Sequence, residues 1–224
     1  MTLLDAMRGG LIVSVQAWRG SALDDSHVIA AMARAAQESG AIAVRIEGSE
    51  HLRAVRARVT VPVIGLIKRE YPGFEPYITP TLEEVRAVIA EGAEIVAFDA
   101  TTRPHPDVSP SELVAAIHAA GCLALADCAS AGDGIAAAAI GADVVATTLC
   151  GYTRDTKGRP LPALDLVAEY ARLRRFTLCE GGIRSPVEVR AALDAGADAV
   201  CVGSAITNVD WLVREFAGAV DRIS

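Results

Sequence analysis

The chain lacks any apolar stretch near the roughly 20 residues that a membrane-spanning helix needs, so no membrane partner is expected. Its opening residues hold only Arg8 as a basic side chain, and Asp5 offsets it. The apolar run that follows stops at Gln16, too short for the core of a secretory signal, which makes the cytoplasm the expected location. An excess of positive charge is missing too. The net charge of −7 argues against nucleic acid as a partner, because that affinity rests on neutralised phosphates. It leaves room for a small phosphorylated metabolite, which needs only a few local donors. No C-x-x-C pair occurs among the five cysteines (Cys122, Cys128, Cys150, Cys179, Cys201), and most lie in or beside apolar runs as buried, reduced thiols do. The four histidines are scattered without metal-ligand spacing, so no metal is expected. No Ser/Gly-rich linker, long charge run or low-complexity tract divides the 224 residues. A hydrophobic share of 52% excludes a disordered chain, and one domain over 1–224 is expected.

One phrase recurs in what is present: glycine, a small residue, then a short apolar run. It stands at Gly40-Ala-Ile-Ala-Val, Gly92-Ala-Glu-Ile-Val, Gly121-Cys-Leu-Ala-Leu, Gly141-Ala-Asp-Val-Val and Gly196-Ala-Asp-Ala-Val. Each copy follows an Ala-rich stretch of helical periodicity. Glycine ends helices because it takes positive φ without penalty. The run after it is too short for a helix and reads as a strand buried on both faces. Strands are predicted at 11–16, 42–46, 63–68, 95–99, 123–127, 144–147, 177–180 and 199–202. Helices are predicted at 24–39, 81–91, 109–120, 135–140, 164–173, 186–195 and 209–220. Eight strands alternating with helices favour an α/β fold of one kind, a single closed (β/α)8 or TIM barrel.

Barrel enzymes work at the C-terminal ends of their strands. Here those ends are polar: Gln16, Arg45 and Glu47, Lys68, Asp99, Asp127, Thr147 and Thr148, and Glu180. A fold gains nothing from repeatedly ending apolar strands in ionisable groups, so the set points to a site in the barrel mouth. After the seventh strand comes Glu180-Gly-Gly-Ile-Arg184, and after the eighth Val202-Gly-Ser-Ala-Ile206 opens a short helix. Loops at these two places often hold phosphate. Gly182, Gly203 and Ser204 are the expected backbone donors, with Arg184 as a charge partner.

Several segments resemble one family. They are Gly10-Leu-Ile-Val-Ser-Val-Gln16-Ala, Ala43-Val-Arg45-Ile-Glu, Pro62-Val-Ile-Gly-Leu-Ile-Lys68, Tyr77-Ile-Thr-Pro80, Ala97-Phe-Asp99-Ala-Thr101, Ala146-Thr-Thr-Leu-Cys-Gly-Tyr-Thr153 and Glu180-Gly-Gly-Ile. Together they resemble the N-acylglucosamine-6-phosphate 2-epimerases, also called N-acetylmannosamine-6-phosphate 2-epimerases. The resemblance implies interconversion of N-acetylmannosamine 6-phosphate and N-acetylglucosamine 6-phosphate, in sialic acid and amino sugar breakdown, without metal or organic cofactor. It implies catalytic roles for Lys68 and Glu180 and substrate contacts at Gln16, Arg45 and Asp127. Thr148 and Tyr152, in the specific Thr-Thr-Leu-Cys-Gly-Tyr-Thr segment, are expected as further contacts. Two places depart from the pattern. Gly203-Ser-Ala-Ile-Thr-Asn208-Val carries Asn208 where the family has arginine, and Cys128-Ala129-Ser130 replaces a Ser-Thr pair.

Epimerisation beside an open-chain aldehyde needs a base on one face of C2, an acid on the other, and a donor near the carbonyl oxygen. The third and seventh strands face each other across an eight-stranded barrel, so Lys68 and Glu180 approach from opposite sides. A lysine base needs its pKa lowered, by desolvation or by a cation such as Arg45, and a glutamate acid needs its pKa raised. The residues alone leave open which acts in which direction. Another phosphosugar isomerase or aldolase on this barrel, or a phosphosugar-binding protein without catalysis, fits the same pattern. An Ala-rich outer surface is compatible with a homodimer.

Overall fold

The computed structural model describes residues 1–220. The last four residues of the expected domain, 221–224, lie outside them. Eight parallel strands close into a barrel in sequence order: β1 (Leu11–Val15), β2 (Ala43–Glu47), β3 (Val63–Leu66), β4 (Ile95–Asp99), β5 (Leu123–Asp127), β6 (Val144–Ala146), β7 (Phe176–Glu180) and β8 (Ala199–Val202). The ring closes where Leu11, Ile12 and Val13 pair with Val200, Cys201 and Val202. The helices are α1 (Leu3–Met7), α2 (Ser26–Glu38), α3 (Ser49–Arg56), α4 (Leu82–Ala90), α5 (Pro110–Ala119), α6 (Ala131–Ala139), α7 (Leu164–Tyr170), α8 (Pro186–Asp194), α9 (Ser204–Thr207) and α10 (Val209–Gly218). A 3-10 turn over Ala171–Leu173 completes the predicted helix at 164–173.

All five glycines of the recurring phrase take positive φ, between 77° and 107°. They end helices and start strands, as the sequence requires. Serine or threonine with an acid three positions on opens α4, α5, α6 and α8 as capping boxes, and Pro110 and Pro186 sit in the first turns of α5 and α8. Side chains then alternate along each strand. Val13, Val44, Val96 and Val145 face outward into a layer with Ile29, Leu52, Val88 and Leu113 of the helices. Ile12, Ile64, Ile95, Leu125, Val144 and Leu178 face inward and fill the barrel.

The prediction misses two helices. α3 is eight residues long, buries only Leu52 and Val55 and has no side-chain cap, so too few apolar positions mark it in the sequence. α1 is one turn long and plugs the barrel floor: Met7 joins the interior cluster, with Leu3 and Leu4 packed beside it. Arg8 stacks 5.5 Å from the Phe176 ring and pairs with Asp198 on that floor. α6 begins at Ala131 rather than at 135, because Gly132 and Gly134 dilute its pattern while Ser130 and Asp133 cap it. β3 stops at Leu66, short of Lys68, because the chain there turns back on itself, as described below.

α10 follows β8 but buries none of its residues against the barrel. Val209, Val213 and Phe216 lie exposed along it, Phe216 to 75%.

Truncating the floor plug, Met7→Ala, is expected to remove about 2–5 kcal/mol of stability. Urea unfolding followed by far-ultraviolet circular dichroism measures the loss. Activity per folded molecule should stay unchanged, because the plug closes the end opposite the strand C-termini.

Candidate active site

The inward-facing positions two residues beyond the apolar filling form the mouth. Along β1 they run Ile12, Ser14, then Gln16; along β2, Ala43 then Arg45; along β3, Leu66 then Lys68; along β5, Leu125 then Asp127; along β7, Leu178 then Glu180. The period of two thus turns a layered core into a ring of polar groups at one end. A cavity of about 490 Å³ opens there. Gln16, Arg45, Lys68, Thr148, Tyr152, Glu180, Gly182, Arg184, Gly203 and Ser204, all expected from the sequence, line it.

Arg45 organises the ring. Its side chain is 1% exposed and reaches from β2 to both β5 and β7. It donates to both oxygens of Asp127, at 2.9 and 2.7 Å, and at 2.7 Å to Glu180 Oε2. Such a forked pair is the strong, geometrically specific form of an ion pair. Thr148 Oγ1 approaches the same Glu180 oxygen at 3.4 Å. Thr147 Oγ1 donates at 2.8 Å to the Glu180 carbonyl and accepts from its N–H at 3.1 Å, which fixes the backbone beneath the carboxylate. Thr147 therefore acts from behind the site.

Asp127 is placed differently from the expectation of a substrate contact. It is fully buried, both its oxygens are taken by Arg45, and it is not among the residues that line the cavity. Its reach into the mouth is through Arg45. Glu47 and Asp99 are likewise structural. Glu47 accepts from the Lys68 N–H, and Asp99 pairs with Arg103 and Thr101 at the end of β4.

Lys68 is held from three sides. It forms an antiparallel bridge with Ile78, its N–H meets Glu47, and its Nζ donates at 2.7 Å to Gln16 Oε1. Gln16 in turn donates at 2.9 Å to Ser14 Oγ. The bridge exists because the segment after β3 doubles back. Arg69 N–H bonds the Tyr77 carbonyl, and Thr79, in the left-handed region at φ 44°, closes the loop on both backbone groups of Ile67. The return brings Tyr77 to the cavity wall. Tyr77 ends no strand, and only the resemblance to a known family drew attention to its segment.

The electrostatics push the two opposed groups toward each other. Burial holds the Glu180 carboxyl above its ordinary pKa, with the Asp127 charge adding to it and Arg45 opposing. Desolvation holds the Lys68 ammonium below its ordinary value, and the Arg45 charge adds to that. Lys68 still meets solvent at the open mouth. Burial also raises the Tyr77 phenol, which stays a neutral donor near pH 7.

The two glycine loops line the cavity just beyond the ends of β7 and β8. Neither Gly182 nor Gly203 gives its N–H to another group among the described residues, and Gly182 has φ 73°. Arg184 lies beside Trp211 of α10, at 5.4 Å from the ring. Asn208 caps α10 by accepting from the Trp211 N–H at 2.9 Å. The departure at Cys128 and Ala129 lies away from the cavity: both are buried, Cys128 near Tyr170 beneath the helix layer. Among the described residues no group of three or more His, Cys, Asp or Glu is placed to hold a metal ion.

Known proteins are similar to this chain over nearly its whole length. A family model described as "Putative N-acetylmannosamine-6-phosphate epimerase" matches residues 29–222. Proteins of Yersinia pseudotuberculosis serotype O:3 (strain YPIII) and Yersinia pestis (strain Pestoides F), both named "Putative N-acetylmannosamine-6-phosphate 2-epimerase", are 44% identical over 216 residues, covering 96% of this chain and 92% of theirs. The solved structure of the N-acetylmannosamine-6-phosphate 2-epimerase from Clostridium perfringens superposes with a TM-score of 0.95 at 38% identity, over 98% of this chain and 97% of that one. Thiamine phosphate pyrophosphorylase from Pyrococcus furiosus, at 17% identity and a TM-score of 0.62 over 91% of this chain and 88% of its own, shares the fold alone. The chain belongs to the N-acetylmannosamine-6-phosphate epimerase family.

Proposed function

We propose that this protein is an isomerase that epimerises C2 of N-acetylmannosamine 6-phosphate to give N-acetylglucosamine 6-phosphate, by removing and returning one proton. The observation that carries this reading is the placement of Lys68 and Glu180. They stand at the ends of β3 and β7, four strands apart in a ring of eight, and both line one cavity. Opposed groups of this kind serve inversion at a carbon, where one face gives up a proton and the other receives it.

The charges fit that task. Arg45 and Lys68 face Asp127 and Glu180, two cations against two carboxylates. Moving one proton from Lys68 to Glu180 leaves the sum at zero. One state pairs a neutral amine with a carboxylic acid, and the other an ammonium with a carboxylate. The first has Lys68 as base and Glu180 as acid; the second has the reverse. Each is what the other becomes after one turnover, so the two directions use the same four groups. Arg45 supplies a fixed positive field where the enolate charge develops, in a site that needs no reorganisation. Gln16 holds Lys68, and Thr148, Tyr152 and Tyr77 contact the sugar. Gly182, Gly203, Ser204 and Arg184 hold the phosphate. Asp127 acts by orienting Arg45. The protein works as a homodimer in the cytoplasm, and the exposed apolar row on α10 forms the contact between copies.

Lys68→Ala and Glu180→Ala are each expected to cut kcat by at least ~100-fold, in keeping with the usual share of a general acid or base. Circular dichroism should remain that of the parent. Proton NMR of N-acetylmannosamine 6-phosphate in deuterated water reads product formation and C2 exchange together. Turnover near the parent rate in either variant overturns the assignment.

The pH profile of kcat/KM should be bell-shaped, because activity needs one proton on the Lys68–Glu180 pair. The acid limb lies above the ordinary carboxylate range and the alkaline limb below the ordinary lysine range. The Asp127 charge raises both groups. In Asp127→Asn both limbs should therefore move to lower pH, a shift read from rates across pH 4–11 (about the range between free Glu and Lys).

Phe216→Asp places a charge in the apolar row of α10 and should turn dimers into monomers in sedimentation velocity, at unchanged circular dichroism.

A further inference from the structure

Four charged side chains line the cavity: Arg45, Lys68, Glu180 and Arg184. Three are already committed. Arg45 is bound to two carboxylates, and Lys68 and Glu180 form the proton-transferring pair. A sugar phosphate brings about two negative charges at pH 7, and Arg184 is the cation left to meet them. Among the described residues Arg184 makes no ion pair. Its backbone N–H bonds Glu188, and its guanidinium lies 5.4 Å from the centre of the Trp211 ring.

An exposed arginine with no fixed partner samples many rotamers, and ordering it on a ligand costs conformational entropy. A flat guanidinium resting on an indole face has lost part of that freedom before the ligand arrives, and keeps its edge N–H donors for an anion. The platform is itself held. Asn208 Oδ1 accepts the Trp211 N–H and so starts α10 at this point. Next to Trp211, Asp210 accepts from Trp18 Nε1 at 3.2 Å and from Ser21 Oγ at 2.6 Å, and Arg214 lies 4.4 Å from the Trp18 ring. The first turn of α10 is therefore tied to the loop after β1 as well as to the loop after β7. Both ties end at the rim of one cavity.

We propose that Trp211 is a positioning residue for substrate binding: it holds Arg184 at the cavity wall to receive the phosphate of the sugar. The inference rests on the epimerase reading for its substrate, and deepens it by assigning the cation and its support. Trp211 touches no reacting atom, so its effect belongs to binding and not to proton transfer.

The test is a double-mutant cycle on purified protein with N-acetylmannosamine 6-phosphate as substrate and inorganic phosphate as competitive inhibitor. Arg184→Ala should raise KM and the phosphate inhibition constant about tenfold or more, as loss of a hydrogen-bonded charge does. Trp211→Ala should raise both by about two- to fivefold, with kcat close to the parent value. Trp211→Phe, which keeps an aromatic face, should bind within about twofold of the parent. In the Arg184→Ala background the Trp211→Ala change should add nothing, because the two residues act as one unit. Additive effects, an unchanged KM in Trp211→Ala, or a Phe variant as weak as the Ala variant overturns the proposal. If Trp211→Ala fails to fold, Trp211→Leu keeps the bulk without the π face. A parent-like KM in that variant is equally fatal. Absence of turnover by the parent protein defeats the epimerase reading itself, and is thereby separated from a failure of the Trp211–Arg184 pair.

Discussion

A guanidinium buried at the centre of a barrel mouth is the constraint on which this site depends. Removing a charge from water costs several kcal/mol unless partners meet it in good geometry. Arg45 is met by Asp127 through a two-pronged contact and by Glu180 through a single one. Because those partners come from β5 and β7, the side chain acts as a tie across the ring. The same tie gives Glu180 a cation that keeps its carboxylate form accessible despite burial, and gives Lys68 a like charge that favours its neutral form. One residue thus biases the protonation of two others that burial has already shifted.

The barrel was legible in the sequence because its punctuation is local. Gly40, Gly92, Gly121, Gly141 and Gly196 each need positive φ to end a helix, and each precedes a run that only a doubly covered strand explains. α3 escaped because Leu52 and Val55 are its entire buried face. α1 escaped because a single turn shows no periodicity. Its Met7 is meaningful only once a barrel floor exists to be filled.

The site was legible in part for a related reason. Alternation along a strand predicts which residue faces inward, so Gln16, Arg45, Lys68, Asp127 and Glu180 follow from where the apolar filling ends. Alternation cannot say how far a side chain reaches once inside. Asp127 was expected against the sugar, and it lies behind Arg45 instead. Tyr77 and Trp211 belong to loop and helix segments that return to the mouth from elsewhere in the fold, so no strand pattern marks them. The bridge between Lys68 and Ile78 brings Tyr77 in, and the cap at Asn208 starts the helix that carries Trp211.

The chain has two tryptophans, and both stand at the rim of the cavity. Trp18 lies in the loop after β1 and Trp211 in the first turn of α10, each beside an arginine. The eight strands and helices α1 to α9 contain none. The tryptophan emission of this molecule, excited beyond the tyrosine absorption band, is therefore a local signal from the entrance. Loosening of the rim will change that light while the barrel stays intact, and a change confined to the floor will leave it dark to the observer. Tryptophan and backbone probes of the same sample thus report on different things, the rim and the barrel as a whole.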